Sequence, residues 1–197
     1  MARYGLYIDV FKCLGCYSCV VGCKNWHKIK PGTGSRRNIM DITEGEFPNL
    51  KRWLFPVSCM QCDKAPCISV CPTGATFRRK DGIITINIEK CIACGKCVDA
   101  CPYNARYINL NTGKADGCDF CSDRLDKGLV PYCVETCPGE AMVFGDLSNP
   151  NSRISRIIKE KKANVLKPEF NTKPKLYYAN LHIKKDFQIK GSVNAGS

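Results

Sequence analysis

Apolar and polar positions alternate along this chain only in short runs, a pattern that predicts small strands and tight turns with few long helices. Tyr4–Val10 (YGLYIDV) alternates and is β-prone, so a strand is expected to deliver the chain to its first cysteine. Trp26 and His27 follow Cys23 in what should be a short helix. Lys30–Asn49 carries Pro31, Gly32, Gly34, Gly45 and Pro48 and is expected to be mostly loop. Lys51–Val57 (KRWLFPV) reads as extended, with Pro56 confining it to an edge or an irregular piece. Ala75–Arg79 and Ile83–Ile88 flank Lys80-Asp81-Gly82, and Asp-Gly between two β-prone runs signals a hairpin. Arg106–Leu110, the turn Asn111-Thr112-Gly113 and the approach to Cys118 repeat that pattern, and Ala141–Phe144 predicts one more strand. After Ser148-Asn149-Pro150, which has turn and cap character, Ile154, Ile157 and Ile158 share one face of a helix expected over Ser152–Ala163. Lys167–Asn180 (KPEFNTKPKLYYAN) holds two prolines and the adjacent Tyr177-Tyr178, an extended signature. Lys190–Ser197 should be frayed.

Sixteen cysteines reorganise this picture. Cys91-Ile92-Ala93-Cys94-Gly95-Lys96-Cys97-Val98-Asp99-Ala100-Cys101-Pro102 reads C-x2-C-x2-C-x3-C-P, the run that bacterial ferredoxins use for 4Fe–4S clusters. Two intervening residues just allow adjacent sulfurs to turn inward, so three thiolates on one tight loop reach three corners of a cubane. The fourth Cys is expected to begin the next helix and face away, and Pro102 suits a helix start, where a missing N–H costs little. Cys13, Cys16, Cys19 and Cys23 keep the spacing but are followed by Lys24. Cys59, Cys62, Cys67 and Cys71 widen the middle gap to four residues, and Cys118, Cys121, Cys133 and Cys137 to eleven, with Pro72 and Pro138 after them. Together the quartets use every cysteine. Cys71-Pro72-Thr73-Gly74-Ala75, Cys101-Pro102-Tyr103-Asn104-Ala105 and Cys137-Pro138-Gly139-Glu140-Ala141 should each run from a ligand through one helical turn into a strand. Such self-similarity argues for duplicated units, in which clusters and their cages replace much of the missing hydrophobic core.

At 197 residues one or two small domains are expected. Disulfides are a poor reading of these cysteines, because tight C-x2-C loops grouped by four favour metal over cross-links between distant elements. Met1–Val10 also lacks the basic region and long apolar stretch of a secretory signal. Arg36-Arg37 is internal and so not an export signal; the chain is expected in the cytoplasm or exported folded with a signal-bearing partner. Zinc knuckles use C-x2-C as two separated pairs, whereas three clustered Cys with a fourth three residues on suit a cubane better than a tetrahedron. The formal charge of +12 invites a nucleic-acid reading until the inorganic contents are counted. Four thiolate-bound 4Fe–4S sites at about −2 each bring the loaded chain to roughly +4. The remaining positive charge lies in Arg153–Lys190, where eleven Lys/Arg face Glu160, Glu169 and Asp186, and no RNA-binding face is expected. No stretch is long enough to span a bilayer.

With these quartets, Asp119-Phe120-Cys121-Ser122-Asp123-Arg124-Leu125-Asp126-Lys127-Gly128 and Phe144-Gly145-Asp146-Leu147, nearly the whole chain resembles the four-cluster iron–sulfur subunits of the molybdopterin oxidoreductases related to dimethyl sulfoxide reductase. Lys167–Tyr178 looks most like the polysulfide and thiosulfate reductase electron-transfer subunits. Glu44-Gly45-Glu46-Phe47-Pro48 is similar to those and to the respiratory arsenate reductase small subunit, and Lys173–Val193 to the small subunit of the hydroxybenzene transhydroxylases. The resemblance implies an α+β fold of duplicated bacterial-ferredoxin-like units with short helices and β-hairpins. Residues 1–50 and 110–147 would form an outer unit, residues 51–109 an inner unit, and residues 148–197 a basic C-terminal helix and extended tail. It further implies that fourth cysteines are exchanged. One cluster would then take Cys13, Cys16, Cys19 and Cys137, and a second Cys118, Cys121, Cys133 and Cys23. A third would take Cys59, Cys62, Cys67 and Cys101, and a fourth Cys91, Cys94, Cys97 and Cys71.

Four such clusters make a wire, with potentials spanning roughly −700 to +450 mV according to hydrogen bonds and burial. No Ser/His/Asp constellation, paired catalytic carboxylates or phosphate loop accompanies them, so an electron-transfer subunit is expected, not a self-sufficient enzyme. By resemblance, the partner is a large catalytic subunit carrying a molybdenum or tungsten bis-pterin, with a membrane anchor subunit or soluble redox partner at the other end and the basic tail packed along the large subunit. Two readings stand against it: a polyferredoxin of a hydrogenase, formate or carbon monoxide dehydrogenase complex, and a zinc-structured binding module. The insert Ser122–Tyr132, with Arg124, Asp126, Lys127 and Gly128, should form a lobe over one cluster. His27 reads better as a partly exposed residue at a helix end than as a group that tunes a cluster or relays a proton.

Overall fold

The structure is a computed structural model that describes residues 2–182; the expectation for Lys190–Ser197 lies outside the described residues. Strand β1 (Tyr4–Asp9) is the middle strand of a three-stranded sheet, paired on both edges and buried on both faces. Leu6 and Ile8 join the main core, while Tyr7 joins a smaller cluster. A 3-10 turn over Val10–Lys12 then hands the chain to Cys13, with the Asp9 carboxylate accepting from the Phe11 N–H at 3.1 Å. Helix α1 (Ser18–Trp26) carries Cys19 and Cys23.

The next segment departs from expectation. Within the predicted loop lies β2 (Arg37–Glu44), paired antiparallel with β3 (Lys51–Ser58) from Arg37↔Ser58 to Glu44↔Lys51. The glycines and prolines that suggested a loop lie only at its flanks; Ile39, Met40, Ile42 and Thr43 between them suit a strand. Partner contacts decide the outcome: Met40 and Phe55 meet across the pair and are buried, and Asp41 accepts from Arg52 at 2.8 and 2.6 Å. Pro56 stands opposite Ile39, tolerated because each strand of a two-stranded sheet keeps a free edge.

One-turn helices and hairpins then alternate: α2 (Pro66–Ser69), β4 (Thr76–Arg78), β5 (Ile84–Ile86), α3 (Lys96–Asp99), β6 (Arg106–Asn109) and β7 (Lys114–Gly117). Both hairpins turn where Asp-Gly and Asn-Thr-Gly predicted. After α4 (Ser122–Leu125) and α5 (Tyr132–Glu135), β8 (Met142–Asp146) returns antiparallel to β1. The expected helix is α6 (Arg153–Glu160), capped by Ser152 Oγ accepting from Ser155 N at 3.2 Å. Its Ile154, Ile157 and Ile158 pack on Tyr7, Val143 and Ala179. Full burial of such a side chain contributes roughly 1.5–3 kcal/mol. Finally β9 (Leu176–Ala179) lies parallel to β1 on its other edge. This part of the predicted tail is therefore built into the sheet. Lys175, 1% exposed, turns inward to donate to Gly82 O at 2.9 Å and is not free to meet a partner.

A local expectation is reversed at the cysteines. The third Cys of a quartet lies in the short helix and the fourth just past its end: Cys71 follows α2, Cys101 follows α3, and Cys137 follows α5. The proline after each opens a turn, not a helix, since it lacks the N–H a continuing helix needs and pushes the preceding residue out of the α region. Cys23 is followed by Lys24, and α1 runs on through it to Trp26. The result is an α+β fold in which α1 packs on α5 and α2 on α3.

Candidate iron–sulfur cluster sites

Every quartet opens in a loop that enters the left-handed region. Gly15 and Tyr17 do so in the first, Gln61 in the second, Ala93 and Gly95 in the third, and Phe120 and Cys121 in the fourth, with φ between 49° and 75°. Switching between right- and left-handed residues turns successive N–H groups to one side, making the nest that holds phosphate and Fe–S groups. The local chain is thus shaped for an anionic cluster before any side chain is considered.

All sixteen cysteines are free thiols, ten of them buried and only Cys16 and Cys94 exposed. Burial pushes the Cys19 and Cys121 thiols up to about 12 and the Cys62 thiol up to about 11. Cys59 and Cys118 are also raised by burial. Neighbouring sulfurs raise these thiols further, and their identities show what the fold brings together. Cys137 acts on Cys13 and Cys19; Cys118, Cys133 and Cys121 act on Cys23. Cys101 and Cys67 act on Cys59 and Cys62, and Cys91 acts on Cys97. Cys133 also acts on Cys19 and Cys67 on Cys97, so the groups lie in adjacent pairs. Among the described residues no three His, Cys, Asp or Glu side chains converge on a point that could hold a single metal ion. Cysteine sulfurs grouped in this way suit an iron–sulfur cluster, whose binding removes the thiol protons.

The turn after each C-P step supplies a donor to sulfur. Thr76 N donates to Cys71 Sγ, Ala105 N to Cys101 Sγ and Ala141 N to Cys137 Sγ, each at 3.4 Å. The repeated C-P-x-x-A pattern is therefore a repeated N–H···S device. Two arginines add charge. Arg37 (1% exposed) lies near Cys133, Cys118, Cys19 and Cys23, and Arg106 (4%) near Cys59, Cys67, Cys97 and Cys101. Neither had a signal in the sequence: Arg37 lay in a predicted loop, and Arg106 had only its place in a predicted strand.

Because α1 continues past Cys23, it carries Trp26 and His27 over the fourth quartet. Trp26 Nε1 donates to Asp123 at 2.8 Å, and its ring stacks on Tyr132 with centroids 5.4 Å apart. The Arg124 guanidinium lies 4.6 Å above the Trp26 ring, donates to Val130 O at 2.8 Å and pairs with Glu135. The insert thus folds back on the fourth quartet, leaving Leu129 and Val130 exposed. His27 is partly exposed at the helix end, as expected, but its Nε2 lies 3.3 Å from Cys121 Sγ. Burial and the Arg36 charge hold its imidazole below the ordinary histidine pKa.

A donor set made wholly of cysteine, held in nests by short helices and hairpins, defines an iron–sulfur protein of the electron-transfer kind. Residues 50–147 match the 4Fe–4S dicluster domain, and residues 11–26 a 4Fe–4S binding domain. The sequence is 44% identical over 177 residues to protein NrfC of Escherichia coli (strain K12), covering 89% of this chain and 79% of that one. It is 41% identical over 185 residues to a tetrathionate reductase subunit of Salmonella typhimurium, covering 91% and 73%. It is 39% identical over 178 residues to a polysulfide reductase subunit of Wolinella succinogenes, covering 89% and 93%. The chain therefore belongs to the iron–sulfur subunit family of the molybdopterin oxidoreductases. It is an electron-transfer subunit that binds 4Fe–4S clusters and is not catalytic on its own. Among the described residues no helix is long and apolar enough to cross a membrane.

Proposed function

We propose that the sixteen cysteines hold four 4Fe–4S clusters, with the fourth Cys of each quartet exchanged. The ligand sets are Cys13, Cys16, Cys19 with Cys137; Cys118, Cys121, Cys133 with Cys23; Cys59, Cys62, Cys67 with Cys101; and Cys91, Cys94, Cys97 with Cys71. Residues 1–50 and 110–147 make the outer unit, residues 51–109 the inner unit, and residues 148–197 the C-terminal part. The observation that carries this reading is the company of two cysteines: Cys23 has Cys118, Cys121 and Cys133 as sulfur neighbours, and Cys137 neighbours Cys13 and Cys19. Packing of α1 on α5 and α2 on α3 agrees with it.

When bound, thiolate-held clusters pass single electrons with little reorganisation. The fold buries ten of the thiols, aims backbone N–H groups at Cys71, Cys101 and Cys137, and offsets cluster charge with Arg37 and Arg106. Electrons cross it between a large molybdenum or tungsten bis-pterin catalytic subunit and a donor or acceptor, which is a membrane anchor subunit or a soluble redox protein. Relatives named as tetrathionate and polysulfide reductase components support a reductase as the whole assembly.

Anaerobic purification of the native complex tests this. The expected material is brown, with about sixteen iron and sixteen sulfide per chain, and a copurifying large subunit contains pterin with Mo or W. Colourless protein holding zinc would overturn the cluster reading. A full iron count beside a large partner without pterin would move the chain to a polyferredoxin of another redox complex.

A further inference from the structure

His27 touches a cysteine sulfur through one ring nitrogen and an arginine through the other. Arg36 Nη1 lies 3.1 Å from His27 Nδ1, and His27 Nε2 lies 3.3 Å from Cys121 Sγ. Arg36 is itself fixed: its Nε donates to Asp116 at 2.8 Å and its Nη1 to Asp119 at 3.1 Å. A guanidinium carries only donors, so Nδ1 must accept from it. The ring proton therefore sits on Nε2 and points at Cys121. A cysteine that ligates iron has no proton of its own and can only accept. The alternative tautomer would set two donors face to face at Arg36 and two acceptors at Cys121.

Asp119 holds the other side of the contact. Its Oδ1 accepts from Cys121 N at 3.1 Å and its Oδ2 from Ser122 Oγ at 2.9 Å, so the residue that anchors Arg36 also anchors the cysteine loop. The position depends on Lys24 standing where the other quartets with a fourth-Cys turn have proline, since only then does a helix reach residue 27. The other fourth cysteines receive backbone N–H groups. Here a side chain supplies the donor, to a different cysteine of the site.

We infer that His27 is a positioning residue that donates a hydrogen bond from Nε2 to the Cys121 thiolate, its tautomer set by Arg36, and so raises the reduction potential of the cluster held by Cys118, Cys121, Cys133 and Cys23. The inference rests on that ligand set. A donor to a ligating sulfur stabilises the reduced, more negative cluster more than the oxidised one, which makes reduction easier.

The test is a redox titration of the native complex followed by electron paramagnetic resonance, comparing wild type, His27→Phe and His27→Gln. His27→Phe keeps the ring and loses the donor; the Gln amide reaches the Nε2 position and can still donate. With iron and sulfide unchanged, His27→Phe should make reduction of one cluster at least tenfold less favourable, about 59 mV for one electron, and leave the other potentials in place. His27→Gln should recover most of that loss. Labelling histidine with ¹⁵N in the unmodified complex should add hyperfine coupling from one imidazole nitrogen to one cluster, a readout that stands even if His27→Phe fails to assemble. Four clusters with unmoved potentials or no nitrogen coupling would overturn the hydrogen bond alone. Fewer than four clusters in the unmodified complex would overturn the ligand set beneath it.

Discussion

The side chain of Gln61 pairs with the backbone of Ile84 as a neighbouring strand would. Its Nε2 donates to Ile84 O at 3.0 Å and its Oε1 accepts from Ile84 N at 2.7 Å, while Nε2 also donates to Cys118 O at 2.8 Å. Gln61 is 0% exposed and holds φ at 49°, between Cys59 and Cys62. One amide therefore ties the second cysteine loop to the β4–β5 hairpin and to the first cysteine of the fourth quartet.

Replacing it should be costly. Gln61→Leu fills a similar volume but leaves Ile84 N, Ile84 O and Cys118 O unpaired in a buried place, and each such group costs about 1–3 kcal/mol. A loss of roughly 2–5 kcal/mol is expected after partial relaxation. Thermal unfolding of the loaded protein, followed by bleaching of its visible absorbance, measures it. A midpoint within a degree or so of wild type would show that the amide is incidental.

Gly139 shows how closely the fourth quartet approaches the first. A Cβ there would stand 2.4 Å from Lys12 O and 3.4 Å from Leu14 Cγ, and Lys12 O is backbone directly before Cys13. Gly139→Ala must push the two cysteine loops apart, at about 1–3 kcal/mol for overpacking, and should lower the iron count by loosening the proposed site in which Cys137 joins Cys13. Gly128→Ala is the control. It meets nothing within 4 Å and carries only the strain of a φ of 73°, so iron content should stay whole.

These cases also mark what sequence alone could reveal. The hairpin turns at Asp81-Gly82 and Asn111-Thr112-Gly113 and the isoleucine face of α6 were legible because neighbouring residues decide them. The quartets were legible because cluster coordination dictates their spacing. Strand β2 was not, since Met40 gains its reason only from Phe55 across the pair. Nor could spacing say that Cys23 would meet Cys118, Cys121 and Cys133, which depends on α1 packing on α5. Arg36 and Arg37 look alike in sequence. Strand geometry sends Arg37 into the core and leaves Arg36 to bind Asp116, Asp119 and His27.

Tyr7 should give part of the alkaline loss of stability, beside Tyr103, Tyr107 and Tyr178, whose phenols burial also raises. Burial, followed by the charge of Asp9, raises its phenol from an ordinary 10.0 to about 12, and its Oη lies 3.5 Å from Asp9 Oδ2. The folded state therefore prefers the neutral phenol. Its contribution is whole below pH 10.0 and drains away as pH rises toward about 12. Tyr7→Phe cannot ionise. The thermal midpoint of the variant should fall less than that of wild type across this window; parallel curves would assign the alkaline loss to another group.

Arg37 and Arg106 supply the last prediction. Both are buried, and among the described residues neither forms an ion pair with a carboxylate. Arg37 donates to Ser58 Oγ at 3.3 Å and Met142 Sδ at 3.8 Å; Arg106 donates to Thr76 Oγ1 at 3.4 Å, and its Nε has no partner. A buried cation left uncompensated costs several kcal/mol, so its counter-charge must come from the cysteine sulfurs around it. Those sulfurs span two proposed ligand sets in each case: Cys19 beside Cys133, Cys118 and Cys23 for Arg37, and Cys97 beside Cys59, Cys67 and Cys101 for Arg106. Each guanidinium thus favours the reduced, more negative form of two clusters at once. Arg37→Met should lower the potentials of the two clusters that share it by about 59 mV or more each, a tenfold change in the reduction constant, while the other two stay in place. Arg106→Met should do the reverse. A redox titration in which either variant moves a single cluster, or all four alike, would break the pairwise assignment of the two arginines.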